Sequence, residues 1–145
     1  MPLRPPDFLR EIQRNLPQIE REIAATVVVV EAESHFAASF RNEGFTDRSL
    51  QPWPARKKAD TGGRRGLLIK TGLLRRQATK GQVIGNRVSF TIGVPYGKVH
   101  NEGLRAGRGA GFQMPKRQFI GDSQALNERI ERKIKTFLNN RFNRR

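Results

Sequence analysis

The residues of this chain best suited to chemistry are its two histidines and their neighbours. His100 follows Tyr96 by four residues, so both side chains can project from one face of a helix, and Glu102 lies close by. An imidazole beside a carboxylate can act as a general base or bind a metal ion. However, His35 lies in a different predicted helix, the chain has no cysteine, and no nucleophile lies near His100 in the sequence. We therefore predict no catalytic residue, no metal and no cofactor, and a structural role for His100 and Glu102, with His100 hydrogen bonded to backbone near the following turn.

A glycine- and arginine-rich segment has the composition of a phosphate-binding loop. Residues 104–111 contain three glycines and two arginines. The segment lacks the lysine-serine/threonine ending of a nucleotide-binding P-loop and does not run from a buried strand into a helix. We interpret residues 104–113 as a flexible basic loop. Contact of Arg105 and Arg108 with DNA phosphates, or with an acidic neighbouring subunit, stays open.

Charge is distributed unevenly along the chain. Residues 1–55 contain six basic and eight acidic side chains, a net charge of −2, whereas residues 56–145 contain 22 basic and five acidic ones, a net charge of +17. Such a field favours nucleic acid or acidic protein partners. The basic face of the last helix is equally typical of a solvated surface. The other candidate contacts to phosphates or acidic partners are Lys116, Arg129, Arg132 and Lys133.

Length and composition indicate one domain without disulfides. A chain of 145 residues without cysteine fits one hydrophobic core and excludes thiolate metal sites. The longest apolar run, residues 24–30, is far shorter than the roughly 20 residues of a membrane span. We predict a chain that is made in the cytoplasm and does not contact a membrane.

Helices are predicted at both ends. Residues 7–15 suit a short helix that Pro17 limits, within an N-terminal arm of residues 1–16. A long helix then runs from Pro17 towards Gly44, with apolar residues at spacings of three and four. A final helix begins at a cap, either Asp122 or Ser123, and precedes a basic tail at residues 141–145. Its apolar stripe is Leu126, Ile130, Ile134, Phe137 and Leu138.

Shorter elements are predicted between these helices. Residues 45–66 suit a long flexible loop anchored by Trp53, with disorder across residues 57–65. Thr71 can cap a short helix. A Gly-Asn pair at residues 85–86 predicts a hairpin between residues 82–84 and 87–94. Tyr96 begins a short helix that Gly103 closes. The predicted fold class is α+β, with the long N-terminal helix and the C-terminal helix packed on a small antiparallel hairpin with short helices.

Residues 114–121 form the most specific segment of the sequence. Pro115 restricts the backbone, Phe119 and Ile120 offer an apolar plug, and Gly121 permits a turn before the last helix. Within one chain the segment would join the hairpin to that helix. Within an oligomer it could equally face a neighbour.

Five signatures in a fixed order resemble the phage virion morphogenesis family, the tail-completion proteins of Mu-like and P2-like phages. There is a looser likeness to neck and minor tail proteins of siphophages. Lys116 and Gln118 depart from the family pattern, in which a small residue and a second proline are usual. The signatures are Trp53, residues 68–73, residues 92–93, Tyr96 with His100 and Gly103, and residues 114–121.

The resemblance implies a structural virion protein rather than an enzyme. It implies action in tail completion or head–tail joining, location in the tail or neck, and assembly in the host cytoplasm. Neck and tail proteins would be its partners, and the sixfold symmetry of tail tubes suggests a hexameric ring. A basic nucleic-acid-binding module is the alternative. The candidate interface residues are Trp53, Thr71, Gly72, Leu73, Tyr96, His100, Gly103, Met114, Pro115, Arg117 and Phe119.

Overall fold

The chain folds as an α+β domain, which confirms the predicted class. The computed structural model describes residues 5–58 and 66–143. The α-helices are α1 (Pro5–Ile23), α2 (Val29–Arg41), α3 (Leu73–Ala78), α4 (Pro95–Glu102) and α5 (Gln124–Phe142). The strands are β1 (Gly44–Thr46), β2 (Leu50–Pro52), β3 (Gln82–Ile84), β4 (Arg87–Ser89), β5 (Arg105–Ala106) and β6 (Phe112–Gln113). In the described residues the strands form three separate antiparallel ribbons, which pair β1 with β2, β3 with β4 and β5 with β6.

The predicted break at Pro17 is wrong, because Pro17 lies inside α1. A proline within a helix removes one backbone hydrogen bond and costs about 3 kcal/mol. Gln13, whose carbonyl would accept that bond, is exposed, as is Pro17 itself. Water can therefore satisfy the freed carbonyl, and the helix continues.

A π-helical segment, Ala24–Val28, joins α1 to α2 without a turn. Ala24 and Val27 are buried there, and the Thr26 hydroxyl donates to the backbone carbonyl of Glu22 at 2.6 Å. A single π turn has a wider hydrogen-bonded ring than the α-helix on either side. The helical stretch is therefore continuous from Pro5 to Arg41, but its two α-helical parts are out of register with each other.

This stretch is long and apolar enough to cross a membrane by length and composition alone. A window of 18 residues within Leu9–Arg41 has a mean hydropathy of 1.3. One such helix is weak evidence for a membrane span, because a helix of a protein core passes the same test, and 44% of this window is buried inside the domain.

The core consists of two neighbouring clusters on the faces of α2. The first contains Phe40, Trp53, Leu67, Leu74, Ala78, Val94 and Phe119. The second contains Ala32, Phe36, Phe45 and Leu126. Ile120 packs against both clusters, so the segment before α5 joins the two halves of the core.

The predicted loop at residues 45–66 contains the β1–β2 ribbon, with Gly44 opposite Pro52 and Thr46 opposite Leu50. Sequence alternation could not reveal this ribbon, because all three residues of β2 are exposed. Tertiary contacts hold it instead: the Trp53 backbone N–H donates to the Glu43 carbonyl at 2.6 Å. Residues 59–65 lie outside the described residues, and most of the predicted disorder falls on them.

The ribbon at Gly85 is confirmed but is shorter than predicted, because β4 ends at Ser89. Its partner β3 begins at Gln82, and the N–H of the preceding Gly81 donates to the Glu33 carboxylate at 2.8 Å. The chain continues extended, and Phe90 and Ile92 stay half-buried.

The basic glycine segment is a ribbon rather than a structureless loop. Strands β5 and β6 pair through Arg105 opposite Gln113. The turn between them uses glycines with positive φ at residues 107, 109 and 111, which side chains rarely adopt.

The helix ends largely follow the predicted caps. Ser123 caps α5, where its hydroxyl accepts from the Leu126 N–H at 3.1 Å. Gly103 closes α4 at φ 67°. At α3 the cap residue is Gly72, while the Thr71 hydroxyl accepts from the Leu73 N–H at 3.4 Å. The predicted tail at residues 141–145 begins as helix, since α5 includes Arg141, whose guanidinium contacts Glu22.

A candidate partner-binding cleft

Residues 114–121 run between α4 and the segment that follows β2, and hydrogen bonds hold them on both sides. On the α4 side, the Asn101 side-chain oxygen accepts from the backbone N–H of Phe119 at 3.0 Å and of Ile120 at 3.2 Å. The Arg117 N–H donates to the His100 carbonyl at 2.8 Å. One short helix therefore binds the backbone N–H groups of three residues of this segment.

On the other side, the side chains of Arg117 and Trp53 form hydrogen bonds that join residues 114–121 to the segment after β2. Arg117 is only 6% exposed, and its guanidinium donates to the Pro54 carbonyl at 2.9 Å and the Ala55 carbonyl at 3.1 Å. The Trp53 indole N–H donates to the Gln118 carbonyl at 2.7 Å. Burial, assisted by repulsion from Arg56, lowers the pKa of Arg117. An arginine keeps its charge even so, so a positive charge is held just beneath the surface.

Gly103 explains the close approach of this segment to the end of α4. A side chain at this position would be strained by φ 67°, and its Cβ would lie 2.8 Å from the Lys116 Cβ and 3.0 Å from the Lys116 backbone N. Only glycine lets the two backbones meet here.

A cleft of about 520 Å³ opens beside Arg117, between α4 and the segment that leads into α3. One wall is aliphatic and consists of Leu67, Leu68, Ile69 and Leu74. The other lining side chains are polar or charged: Arg56, Lys70, Thr71, Tyr96, His100 and Arg117. We call this cavity the cleft.

His100 lines the cleft and has one unsatisfied ring nitrogen. Its Nδ1 is buried and forms no hydrogen bond among the described residues, so the bond to backbone that we predicted for His100 is not made by this nitrogen. Desolvation first, and then the nearby charge of Arg117, lower the pKa of His100. The imidazole is therefore neutral at pH 7, with the Tyr96 ring edge-on at a centroid distance of 6.3 Å.

Backbone strain also occurs in this wall. Leu68 has φ 62°, a left-handed conformation that costs a residue with a side chain roughly 1–2 kcal/mol. The adjoining Leu67 is buried, and its N–H donates to the Glu43 carboxylate at 2.7 Å. Packing and this bond hold Leu68 in place.

The structure brings five of the predicted interface residues together at the cleft: Thr71, Gly72, Tyr96, His100 and Arg117. Trp53 and Phe119 are instead buried in the core, at 7% and 0% exposure. Leu73 is exposed outside the cleft, and Gly103, Met114 and Pro115 are partly buried near β5 and β6.

Sequence reasoning did not name as interface candidates six lining residues, Arg56, Leu67, Leu68, Ile69, Lys70 and Leu74, nor Asn101, which holds the adjoining segment. Leu68, Ile69 and Lys70 lie within a recognised signature, residues 68–73, and that position was the available signal. Nothing local in the sequence marks Asn101, whose two backbone partners are 18 and 19 residues away.

The six basic residues predicted to contact phosphates or acidic partners differ in their hydrogen bonds, ion pairs and exposure. Arg129 pairs with Glu31 at 2.8 Å, and Lys133 lies 3.9 Å from the same carboxylate. The Arg105 guanidinium donates to the Ala110 carbonyl within its own ribbon. Lys116, Arg108 and Arg132 are exposed.

In the described ranges, residues 5–58 and 66–143, no group of three or more His, Asp or Glu side chains is arranged to hold a metal ion. His35, the second histidine, is buried in the core. Its Nε2 donates to the Thr46 carbonyl at 2.9 Å, and its Nδ1 accepts from Arg129 at 3.3 Å.

Three of the five signatures, residues 68–73, Tyr96 with His100 and Gly103, and residues 114–121, thus contribute lining residues to one cleft. The chain belongs to the phage virion morphogenesis family, whose profile matches residues 7–139, most of its length. It is therefore a virion-associated assembly protein, and membership in a structural family suggests a role other than catalysis. No curated protein and no solved structure matches the chain.

Proposed function

We propose that this protein acts at the head-proximal end of a phage tail, where it completes the tail or joins it to the capsid. The observation that carries the proposal is the family match over residues 7–139. The arrangement of the signatures supports it, since Trp53, Arg117 and Asn101 hold a rigid surface around the cleft. Rigid, shaped surfaces are what an assembly protein presents to its neighbours.

The protein would work as a ring, for which we propose six copies from the symmetry of tail tubes. A ring requires head-to-tail interfaces, in which two different surfaces of each copy meet. A candidate for one of these surfaces is the exposed first part of α1, where Leu9 is 58% and Leu16 44% exposed. Its partners would be other neck and tail proteins, and it would assemble in the host cytoplasm before entering the virion.

Deletion of the gene from the phage or prophage tests this proposal. We expect full heads and separate tails by electron microscopy, together with loss of infectivity that a plasmid copy restores. Joined, infectious particles in the deletion strain would contradict the proposal. Tails of abnormal length with normal joining would place the protein in length control instead.

Contact with DNA is a second candidate function, favoured by the net charge of +17 on residues 56–145 and the exposure of Arg108 and Arg132. Phosphate contacts predict an affinity that falls steeply with salt and does not depend on sequence. The Arg108→Gln/Arg132→Gln variant would lower the salt slope by about two, at roughly 0.9 per phosphate contact. An unchanged slope would rule out these two residues as contacts.

A further inference from the structure

We propose that the cleft is a binding site for an acidic segment of a neighbouring virion protein, in which a carboxylate side chain stands next to a bulky apolar one. The inference rests on the proposed function for the source of that segment, but the cleft itself can be tested on the purified chain.

Charge indicates an anionic ligand. Arg56, Lys70 and Arg117 all line the cleft, and no Asp or Glu is among the described residues that line it. The Arg117 guanidinium donates to two backbone carbonyls, which do not neutralise its charge. The Glu43 carboxylate contributes at longer range and already accepts from the Leu67 N–H. A carboxylate entering here would gain charge-assisted hydrogen bonds in a partly desolvated site.

The aliphatic wall indicates a peptide rather than a nucleic-acid backbone. Leu67, Ile69 and Leu74 offer apolar surface to a ligand, worth about 25 cal/mol per Å² that it covers. A phosphodiester backbone has no comparable apolar group, whereas an acidic peptide readily pairs a carboxylate with Leu, Ile or Phe. The cavity volume of about 520 Å³ lies within the range of roughly 300–1,000 Å³ usual for ligand sites.

Two features of the cleft are unfavourable in the isolated chain. The His100 Nδ1 is buried without a partner there, and a buried polar group without one costs about 1–3 kcal/mol. Leu68 holds a strained backbone in the opposite wall. Unsatisfied groups and strain of this kind collect at binding sites.

A matched pair of small peptides tests the inference on the full chain labelled with ¹⁵N. The probes are acetyl-Phe-Asp-amide and its uncharged counterpart acetyl-Phe-Asn-amide, titrated at low salt. We expect the Asp probe to bind at least tenfold more tightly. It should shift the amide signals of residues 67–74 and the ring nitrogens of His100.

Two exposed lysines provide the matched variants. Lys70→Gln removes a cation from the cleft, and Lys98→Gln removes the same charge from α4 outside it. We expect Lys70→Gln to weaken binding of the Asp probe about three- to tenfold and Lys98→Gln to leave it unchanged. His100→Leu, which replaces the imidazole with an apolar side chain, should also weaken binding. Its spectrum should remain that of a folded protein.

Equal affinity for the two peptides, or shifts outside the cleft, would overturn the inference. So would tighter binding of inorganic phosphate or a short oligonucleotide at the same residues, which would assign the cleft to a nucleic-acid backbone. Probe binding does not depend on particle assembly. A chain that binds the Asp probe, although its gene is dispensable for infection, would refute the proposed function and leave the cleft assignment intact.

Discussion

The two histidines show how residues of one type differ once their surroundings are known. His35 is buried and uses both ring nitrogens, towards the Thr46 carbonyl and the Arg129 guanidinium. Arg129 in turn pairs with Glu31, so His35 links α2, β1 and α5. His100 instead buries a nitrogen without a partner in the described residues. The first histidine supports the fold, and the second supplies the site.

Replacing each histidine with leucine should therefore have opposite effects on stability. His35→Leu removes one hydrogen bond from the Thr46 carbonyl, which keeps the Ser123 hydroxyl, and one from Arg129, which keeps Glu31. We therefore expect the free energy of unfolding to fall by about 1–2 kcal/mol. His100→Leu removes an unsatisfied nitrogen, so we expect no loss and a small gain. Urea unfolding at pH 7.5 measures both. Similar losses in the two variants would show that His100 is also a structural residue.

Both histidines should make the fold sensitive to mild acid. Burial lowers the pKa of each below its ordinary value of 6.5, so the unfolded chain binds protons more readily than the folded one. This contribution to stability is complete above about pH 6.5 and is lost as the pH falls towards the folded pKa values. We expect the urea midpoint to fall between pH 7.5 and pH 5. The decrease should be smaller in His100→Leu; an identical decrease would mean that His100 does not contribute.

At the scale of elements, α4 holds residues 114–121 in place through hydrogen bonds. Asn101 satisfies two backbone N–H groups of this segment at once. We expect Asn101→Ala to lower the free energy of unfolding by about 2–3 kcal/mol, because both donors are partly buried. Glu102→Ala changes the exposed neighbour and should stay within about 0.5 kcal/mol. Equal losses for Asn101→Ala and Glu102→Ala in denaturant unfolding would mean that Asn101 does not hold the segment in place.

Gly85 and Gly103 have nearly the same positive φ, but only Gly103 lies close to another backbone. Substitutions at the two positions therefore distinguish the cost of backbone strain from that of steric contact. Gly85→Ala, at φ 63°, meets nothing within 4 Å in the described structure and should cost about 1 kcal/mol. Gly103→Ala, at φ 67°, also drives its Cβ against Lys116 backbone, so we expect a loss of at least about 2 kcal/mol. Thermal unfolding measures the difference. Equal losses would mean that the segment around Lys116 yields without cost.

Elements governed by local signals were predictable from the sequence, and elements held by distant contacts were not. The Ser123 cap and the glycine closure of α4 depend on adjacent residues, and both are confirmed. The β1–β2 ribbon was missed because its second strand is wholly exposed and carries no alternation. Pro17 was misjudged because its cost depends on whether water reaches the freed carbonyl, which only the folded structure shows.

The candidate site was only half accessible from the sequence. Its signatures predicted Thr71, Tyr96 and Arg117, but a signature does not say whether a residue faces inwards or outwards. Trp53 and Phe119, proposed as interface residues, are core residues of the single chain. The aliphatic wall was missed because Leu67 and Ile69 become a wall only when α4 packs opposite them.

At the scale of the whole molecule, the chain consists of a packed domain and a helical arm that extends from it. No side chain described between Asp7 and Gln18 is buried, and Ile19 is the first that is. Removal of residues 1–16 would leave Pro17 in the first turn of the helix, where proline is favourable. We expect the melting temperature of this truncated chain to stay within a few degrees of the full chain.

Ile19→Ala in the full chain provides the contrast to the truncation. Ile19 is 4% exposed, so the loss of its side chain should cost about 2–4 kcal/mol. Under the proposed function, the truncated chain should nevertheless fail to restore infectivity. A truncated chain that restores it would show that the arm is dispensable for assembly.

The π-helical segment at Ala24–Val28 has a geometric consequence for this arm. Successive residues of an α-helix are rotated by about 100° around its axis, and a π turn accommodates one residue more than an α turn. Removing one residue from the segment would therefore restore a regular helix and leave the directions of Leu9 and Leu16 unchanged. Converting the segment to an α-helix with every residue retained would instead rotate both side chains by about 100° relative to the domain. The π turn thus keeps the arm in one orientation relative to the domain, although the chain carries an additional residue at their junction.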